Sequence, residues 1–590
     1  MKAARPRSSR RRPRRGSVER PVNTRLVRSA LLVLLPPLLL LAFTIGRPGP
    51  LPAPTLPPSF DGAAATALAT ELARENPNRK PGTAGAAGAA RWFEEKLALY
   101  GLPTTEDTWK EAIPGLGPVE LRNIFAVVRG TAEDAIVFVA HRDNDGGGPG
   151  ANDNASGTAA LIELARGYAR LGTAASRPTP RHTLVFLSSD GGAYGGFGAA
   201  RFARTSTFRG RVLAVVSLDG LAGSARPRLV ISGTAPRSPA PALLRTADVR
   251  ITAQLGRPPA RPGWLTQLVD LAVPFGYGEQ APFLGRRISA VRIATSDDTG
   301  ATPEGDVPER LDAARFGQLG RAVESLIASL DAGIELAGGS AGYLYLGDRV
   351  VRGWAIELVL LAALLPYLIG TVDLLARCRR RRLPLRDAWR AQRARAGLWL
   401  WFALLIGIGA LIGVFPRDSP IPPPPSSPAV AEWPAVGLAV LGALAAAGWG
   451  RMRRGLRASA PVTADEVLAG YAVALTALAG IALLTALVSP YGLVFVLPSL
   501  YAWLWLPQCG HGRRRGVLFG LGLAGPALAL AAISAQLGLG ATAPLYLTAL
   551  LTLGLVPWAT TLALFLWAAV AMQLGSLVVR GGGQAPQSGR

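Results

Sequence analysis

Hydrophobic and polar positions divide the 590-residue chain into two regimes. Between residues 60 and 335, apolar runs of strand length (120–128, 135–140, 183–189, 211–218, 228–232 and 289–294) alternate with stretches of helical period (61–75, 83–100, 154–171, 194–205 and 309–331). This alternation predicts an α/β fold, a three-layer sandwich around a largely parallel central sheet. From 353 onward the pattern changes to uncharged apolar runs long enough to cross a bilayer, which predicts an all-α transmembrane bundle.

The candidate spans are 353–376, 397–415, 434–450, 467–488, 491–507 and 517–537, and Pro557 can divide the run 543–579 in two. The region 353–579 is therefore read as seven or eight helices. An earlier apolar run, 29–46 (SALLVLLPPLLLLAFTIG), is just long enough to span, which brings the total to eight or nine. A basic flank before such a run fits either an uncleaved anchor or a signal peptide. No A-x-A-like site follows directly, and GRPGPLPAP comes instead, which favours the anchor. Residues 1–28 form a basic tail, 47–59 a proline-rich, semi-rigid linker, and 580–590 a polar tail.

Charge then orients these segments. A net charge of +25 would suggest nucleic acid if it formed one face of a folded domain. The arginines instead fall in bursts beside apolar runs, at 5–28, 377–395, 451–457 and 513–515, which is the positive-inside pattern. The expectation is a multi-pass cell-membrane protein with its N-terminus in the cytoplasm and residues 60–335 outside it. Membrane lipid is the expected neighbour of the basic bursts, and no nucleic-acid partner is expected. Both cysteines, Cys378 and Cys509, adjoin arginine bursts and so face the cytoplasm, where a structural disulfide is not expected. Within the spans from 397 to 579 there is no Asp, Glu, Lys, Arg or His, which argues against ion-coupled transport but not against a scaffold. Glu357 and Asp373 lie towards the ends of their span. Richness in Ala, Gly, Arg and Pro, with few lysines, suggests a high-GC bacterium.

The chemistry concentrates in Ile136–Gly157, IVFVAHRDNDGGGPGANDNASG. A buried strand ends in His141 and, two residues on, Asp143; a glycine-rich loop then carries Asp153 into a helix start. Ligands at the carboxyl end of a sheet strand and at a helix N-terminus converge on one crevice, as metal ligands do. The same residues also fit a plainer reading, in which Asp153 and Asn154 cap the helix and loop aspartates are solvated.

From 60 to 331 the chain resembles the co-catalytic di-zinc aminopeptidases of metallopeptidase family 28. The resemblance runs through NPNRKPGTAGAAGAARWFEEKLALYGL, LRNIFAVVRG and AHRDNDGGGPGANDNASGTAALIELAR, in order and with family-like spacing. It implies a zinc-aminopeptidase-like sandwich and two zinc ions bridged by an aspartate and a water, with a glutamate taking the water's proton. His141 matches the first histidine ligand, Asp143 its supporting aspartate, Asp153 the bridging aspartate, and Asp219 in VLAVVSLDG the carboxylate completing the first metal's set.

The other half of the family's site is absent from the pattern. The family follows a strand with Asp-Gly-Glu-Glu, base then ligand; here HTLVFLSS leads into DGGAYGG, so Gly192 and Ala193 stand where the two glutamates are expected. A shifted register offers Asp190 as the base, one methylene short. No histidine occurs between His182 and His511, so the last ligand has no histidine; Asp297 or Asp298 could stand in. Glu279-Gln280-Ala281-Pro282-Phe283 keeps the family's Pro-Phe and loses its histidine, and His182 at a strand start is read as structural.

One zinc on His141, Asp153 and Asp219 is the expected cofactor, set against a metal-free polar cluster of the same residues; two ions are not expected. The leading expectation is a domain that no longer hydrolyses peptides and binds a peptide or a membrane-protein partner. The alternatives are a mono-zinc hydrolase or acyl-transfer enzyme with Asp143, Asp190 or Glu279 as base, and a scaffold or transporter whose outer domain is a lid.

Overall fold

The computed structural model describes residues 21–169, 178–295, 303–333, 339–417, 419–425, 427–458, 463–509 and 512–581. Its centre is a seven-stranded sheet of β1 (Thr104–Ile113), β2 (Gly117–Val128), β3 (Ala135–His141), β4 (Thr183–Ser189), β5 (Val212–Asp219), β6 (Arg228–Val230) and β7 (Ser289–Ala294), in the order β1-β2-β4-β3-β5-β7-β6. The central strands β4, β3, β5 and β7 are parallel neighbours. On the flanks β1 pairs antiparallel with β2, β2 with β4, and β6 with β7. The sheet is thus mixed rather than largely parallel. Only a tight turn separates β1 from β2, too short for the crossover that a parallel pair needs.

Alternate residues of the central strands feed two apolar layers. Ile136, Phe138, Ala140 and Phe186 point to one side, where helices Gly62–Glu75, Ala84–Ala98, Gly157–Arg166, Pro241–Leu255 and Ala313–Ala332 cover them. Val137, Val139, Val185 and Leu187 point to the other, beneath Phe197–Thr205 and Ala281–Gly285. Covered on both faces, β3 and β4 are buried at every position, as parallel central strands are. The parallel strands end on one edge, where His141, Ser189 and Asp219 complete β3, β4 and β5.

The sequence places a helix at 154–171, but the regular helix begins only at Gly157. Residues Ala151–Ser156 form a wide turn in which Asp153 and Asn154 have non-helical backbone angles. Strand β1 is missing from the sequence reading because its exposed face is charged (Glu106, Lys110), and polar strands give no apolar run.

Among the described residues, eight helices are long and apolar enough to cross a membrane: Thr24–Phe43, Gly353–Arg380, Leu385–Leu411, Ala435–Arg453, Ala464–Val488, Pro490–Gln508, Gly512–Gln536 and Trp558–Val579. The run 543–579 does divide, but its first part, Ala543–Thr552, has 10 residues and is too short to span.

Two connecting segments are less free than their composition suggests. The 47–59 linker is pinned along the domain: the Leu51 N–H donates to Thr246, Arg250 donates to the carbonyls of Leu51 and Pro52, and the Ser59 N–H donates to Glu324. The proline-rich loop after Leu385–Leu411 reaches the sheet domain. There Ile421 is buried with Trp109, Ile113, Leu121 and Phe197. The distal tail beyond 581, the first 20 residues of the basic tail and His511 lie outside the described residues.

Candidate metal centre

Three of the sequence-predicted ligands meet at the carboxyl edge of the sheet. His141 Nε2 lies 3.3 Å from Asp153 Oδ1 and 3.8 Å from Asp219 Oδ1. One ligand atom from each falls within 4.8 Å of the other two. Zinc takes nitrogen and oxygen ligands at about 2 Å in a tetrahedron, which separates ligand atoms by roughly 3.3 Å. The residues therefore fit one ion.

Their surroundings fix this arrangement. Nδ1 of His141 lies 3.0 Å from the main-chain oxygen of Asp143 and 3.5 Å from its carboxylate, which leaves Nε2 facing the site. Burial alone would lower the imidazole pKa, but hydrogen bonding to Asp143, Asp153 and Asp219 holds it well above the usual histidine range. Asn154 braces the turn: its amide donates to the Leu218 carbonyl, and its Oδ1 accepts the N–H groups of Gly157 and Gly220. Asp306 accepts the N–H groups of Asn152 and Asp153, each at 2.7 Å. The fully buried Arg79 donates to the carbonyls of Arg142, Pro149 and Gly150, shaping the glycine-rich loop from beneath.

Asp219 carries a second partner that sequence reasoning missed. The buried Arg292 guanidinium lies 2.6 Å from its Oδ2, leaving Oδ1 for the metal side. Burial pushes the Asp219 carboxyl up, but Arg292 and His141 outweigh it and hold the group far below the usual range. One signal was present: Arg292 is the single charge in the otherwise apolar strand SAVRIA, and a buried arginine requires a carboxylate or carbonyls.

The positions where the family's glutamates are expected have a different job here. The N–H groups of Gly192 and Ala193 donate to the two oxygens of Asp143, at 2.9 and 3.0 Å. A Cβ built on Gly192 would stand 2.1 Å from Cβ of His141 and 2.3 Å from its Cγ. The His141 side chain occupies the space that a side chain at 192 would use.

The remaining candidates are distributed as follows. Asp190 accepts the N–H groups of Arg122 and Gly191 and pairs with Arg142, so its oxygens support the β2–β4 flank. Burial raises its carboxyl to about 6, against the pull of Arg142. Glu279 is buried behind the strand ends, accepting hydroxyl hydrogen bonds from Ser189 and Ser217. Burial raises its carboxyl to about 7, which nearby His141 opposes. Asp297 and Asp298 lie outside the described residues. His182, on the opposite edge, is held by Asp331.

Residues 123–263 match peptidase family M28, a stretch that contains His141, Asp143, Asp153, Asp190 and Asp219. Transferrin receptor protein 2 of Rattus norvegicus is 38% identical over 101 residues, which cover 17% of this chain and 12% of the receptor. The chain thus spans well under a fifth of that relative's length. Among solved structures, a glutaminyl cyclase from an Acidobacteriales bacterium has 20% sequence identity, covering 48% of this chain and 98% of its own, with a TM-score of 0.36. BSAP, a zinc aminopeptidase from Bacillus subtilis, has 14% identity, covering 45% of this chain and 94% of its own, with a TM-score of 0.37. Within this chain, residues 123–263 are thus similar to peptidase family M28.

Proposed function

We propose that this is a membrane-held, peptidase-like protein whose domain binds a single zinc ion and recognises a peptide or a membrane-protein partner without hydrolysing peptide bonds. The observation that carries this reading is the contact between Gly192 and His141. A catalytic glutamate at 192 has no room for its Cβ unless the metal-binding histidine moves.

Each residue has a part in that reading. His141, Asp153 and Asp219 would hold the zinc, Asp143 orients His141, and Arg292 keeps one oxygen of Asp219 directed away from the ion. A bound zinc supplies Lewis acidity and lowers the pKa of a coordinated water. Hydrolysis also needs a base within hydrogen-bond reach of that water. Asp143 is held by two backbone amides and Asp190 by the flank of the sheet, so neither is free for the task. The apolar helices anchor the domain at the membrane, with the domain outside the cytoplasm and the arginine bursts inside.

The test is turnover of aminoacyl-anilide substrates by the full chain in detergent, saturated with zinc. No turnover above a zinc blank is expected. Turnover that disappears in Asp153→Asn would overturn the reading.

A second reading, a mono-zinc hydrolase or acyl-transfer enzyme, is favoured by one feature. Glu279 is a buried carboxyl raised to about 7, the range of a useful general base, close enough to His141 and Asp219 to feel their charge. That enzyme would lose activity in Glu279→Gln while still binding zinc.

A further inference from the structure

We propose that the chain has a second ligand site, for a phosphate group, between the sheet domain and the loop that follows Leu385–Leu411. A cavity of about 550 Å³ lies there, and three arginines line it: Arg204, Arg286 and Arg287. Thr234 adds a hydroxyl, no carboxylate lines the cavity among the described residues, and Pro420 and Ile421 of the loop form its apolar roof.

Among the described residues, the three arginines differ from their neighbours in forming no ion pair. Arg201, one turn earlier on the helix of Arg204, forms a two-pronged pair with Asp107, and Arg292 pairs with Asp219. Among the described residues, neither Arg204 nor Arg286 nor Arg287 lies within salt-bridge distance of an acid. The backbone at Arg287 is held at φ 68°, a left-handed conformation that long side chains rarely adopt. The Ser340 N–H, bonded to the Arg287 carbonyl at 3.1 Å, secures that turn. Three cations lining one cavity favour an anion as its occupant.

The roof is fixed as well. Ile421 is buried among Trp109, Ile113, Leu121 and Phe197. The Ser419 hydroxyl donates to the Ile421 carbonyl at 2.7 Å, and the Tyr546 hydroxyl donates to the Pro423 carbonyl at 3.0 Å. Gly195 lies so close beneath the loop that a Cβ there would meet the Pro422 carbonyl oxygen at 2.5 Å. The cavity is therefore a built space with a clamped roof.

Phosphate is the chemistry that matches it. Guanidinium groups bind phosphate oxygens through paired N–H donors, and three forks suit a group with three terminal oxygens better than a two-oxygen carboxylate. The phosphate can come from a lipid headgroup, since the roof loop joins two apolar helices, or from a soluble phosphate ester.

The experiment is thermal unfolding of the full chain with two probes. One is inorganic phosphate against chloride at matched ionic strength, in neutral detergent. The other is reconstitution into phosphatidylcholine vesicles with and without phosphatidylglycerol. Saturable stabilisation by at least one probe is expected, weakened at least about tenfold in the double variant Arg204→Gln/Arg286→Gln. Both side chains are exposed, so the variant folds, and Arg91→Gln/Arg257→Gln, at exposed positions by helices on the other face of the sheet, controls for net charge. A response to inorganic phosphate identifies a soluble ligand; a response to phosphatidylglycerol alone identifies a lipid. Stabilisation by neither probe, or an unchanged response in the double variant, would overturn the proposal.

Discussion

Gly192 lies against His141 so closely that a Cβ on the glycine would come within 2.1 Å of the histidine's own Cβ. Gly192→Ala is therefore expected to force the loop and the imidazole apart, lowering stability by about 1–3 kcal/mol and weakening zinc binding. Gly192→Glu/Ala193→Glu, which restores the family's residues, is expected to weaken zinc binding further rather than create a peptidase. Thermal unfolding and zinc titration of the variants check this. A gain of peptidase turnover in the double variant would show that the loop relaxes easily.

Asp143 is the anchor of that same loop through the N–H groups of Gly192 and Ala193. Asp143→Ala leaves the buried Gly192 amide unpartnered, at a cost of about 1–3 kcal/mol. The loop 190–197 is expected to become a site of limited proteolysis in Asp143→Ala and to stay resistant in Asp143→Asn, which keeps one acceptor oxygen. Mass mapping of the cleavage products tells the two apart.

Arg292 and Asp219 form a buried pair, and removing Arg292 takes from Asp219 the cation 2.6 Å from its Oδ2. Arg292→Ala is expected to destabilise the metal-free protein by about 3–5 kcal/mol. Added zinc should recover part of that loss in Arg292→Ala and none of it in Arg292→Ala/Asp153→Asn. Melting temperatures with zinc and with a chelator measure it; an equal loss with and without zinc would mean that the cation does not share Asp219.

Asp270 gives the pH dependence. It lies on helix Trp264–Ala272, which packs Val269 against Phe495, Ile533 and Tyr546 of the apolar helices, and its Oδ1 accepts the Gln536 amide at 3.0 Å. Burial raises its carboxyl from the ordinary 3.8 to about 6, with the Gln536 hydrogen bond opposing the shift. The folded protein thus holds this proton more tightly than the unfolded chain. The associated stability is fully present below the ordinary value and is lost as pH rises through about 6. Asp270→Asn should stabilise the protein by roughly 1–2 kcal/mol near pH 8 and by progressively less towards pH 4. Melting temperatures across that range check the sign, and a gain that grows on acidification would contradict it.

Much of this architecture was legible because apolar patterning is local. Strands β4 and β7 coincide with runs 183–189 and 289–294, and the apolar helices follow the hydropathy pattern. His141, Asp153 and Asp219 were found through a motif and do converge. What escaped was long-range or polar. The partnership of Arg292 with Asp219 spans 73 residues, and that of Ser189 with Glu279 spans 90. Strand β1 is stabilised by its pairing with β2 rather than by an apolar run of its own. The docking of Ile421 on Trp109 and Phe197 joins segments that only the fold brings together. The close approach of Gly192 to His141 depends on backbone position, which residue identity does not encode.

The central claim, a single metal site in a peptidase-like domain, is tested most directly by the zinc content of the full chain. Elemental analysis after purification in detergent with zinc and gel filtration should give one zinc per chain, and none in Asp153→Asn. Two zinc ions per chain would mean that ligands other than His141, Asp153 and Asp219 complete a second site, and would contradict the account. No zinc in the wild type would contradict it equally, leaving these residues as a hydrogen-bonded cluster around Arg292.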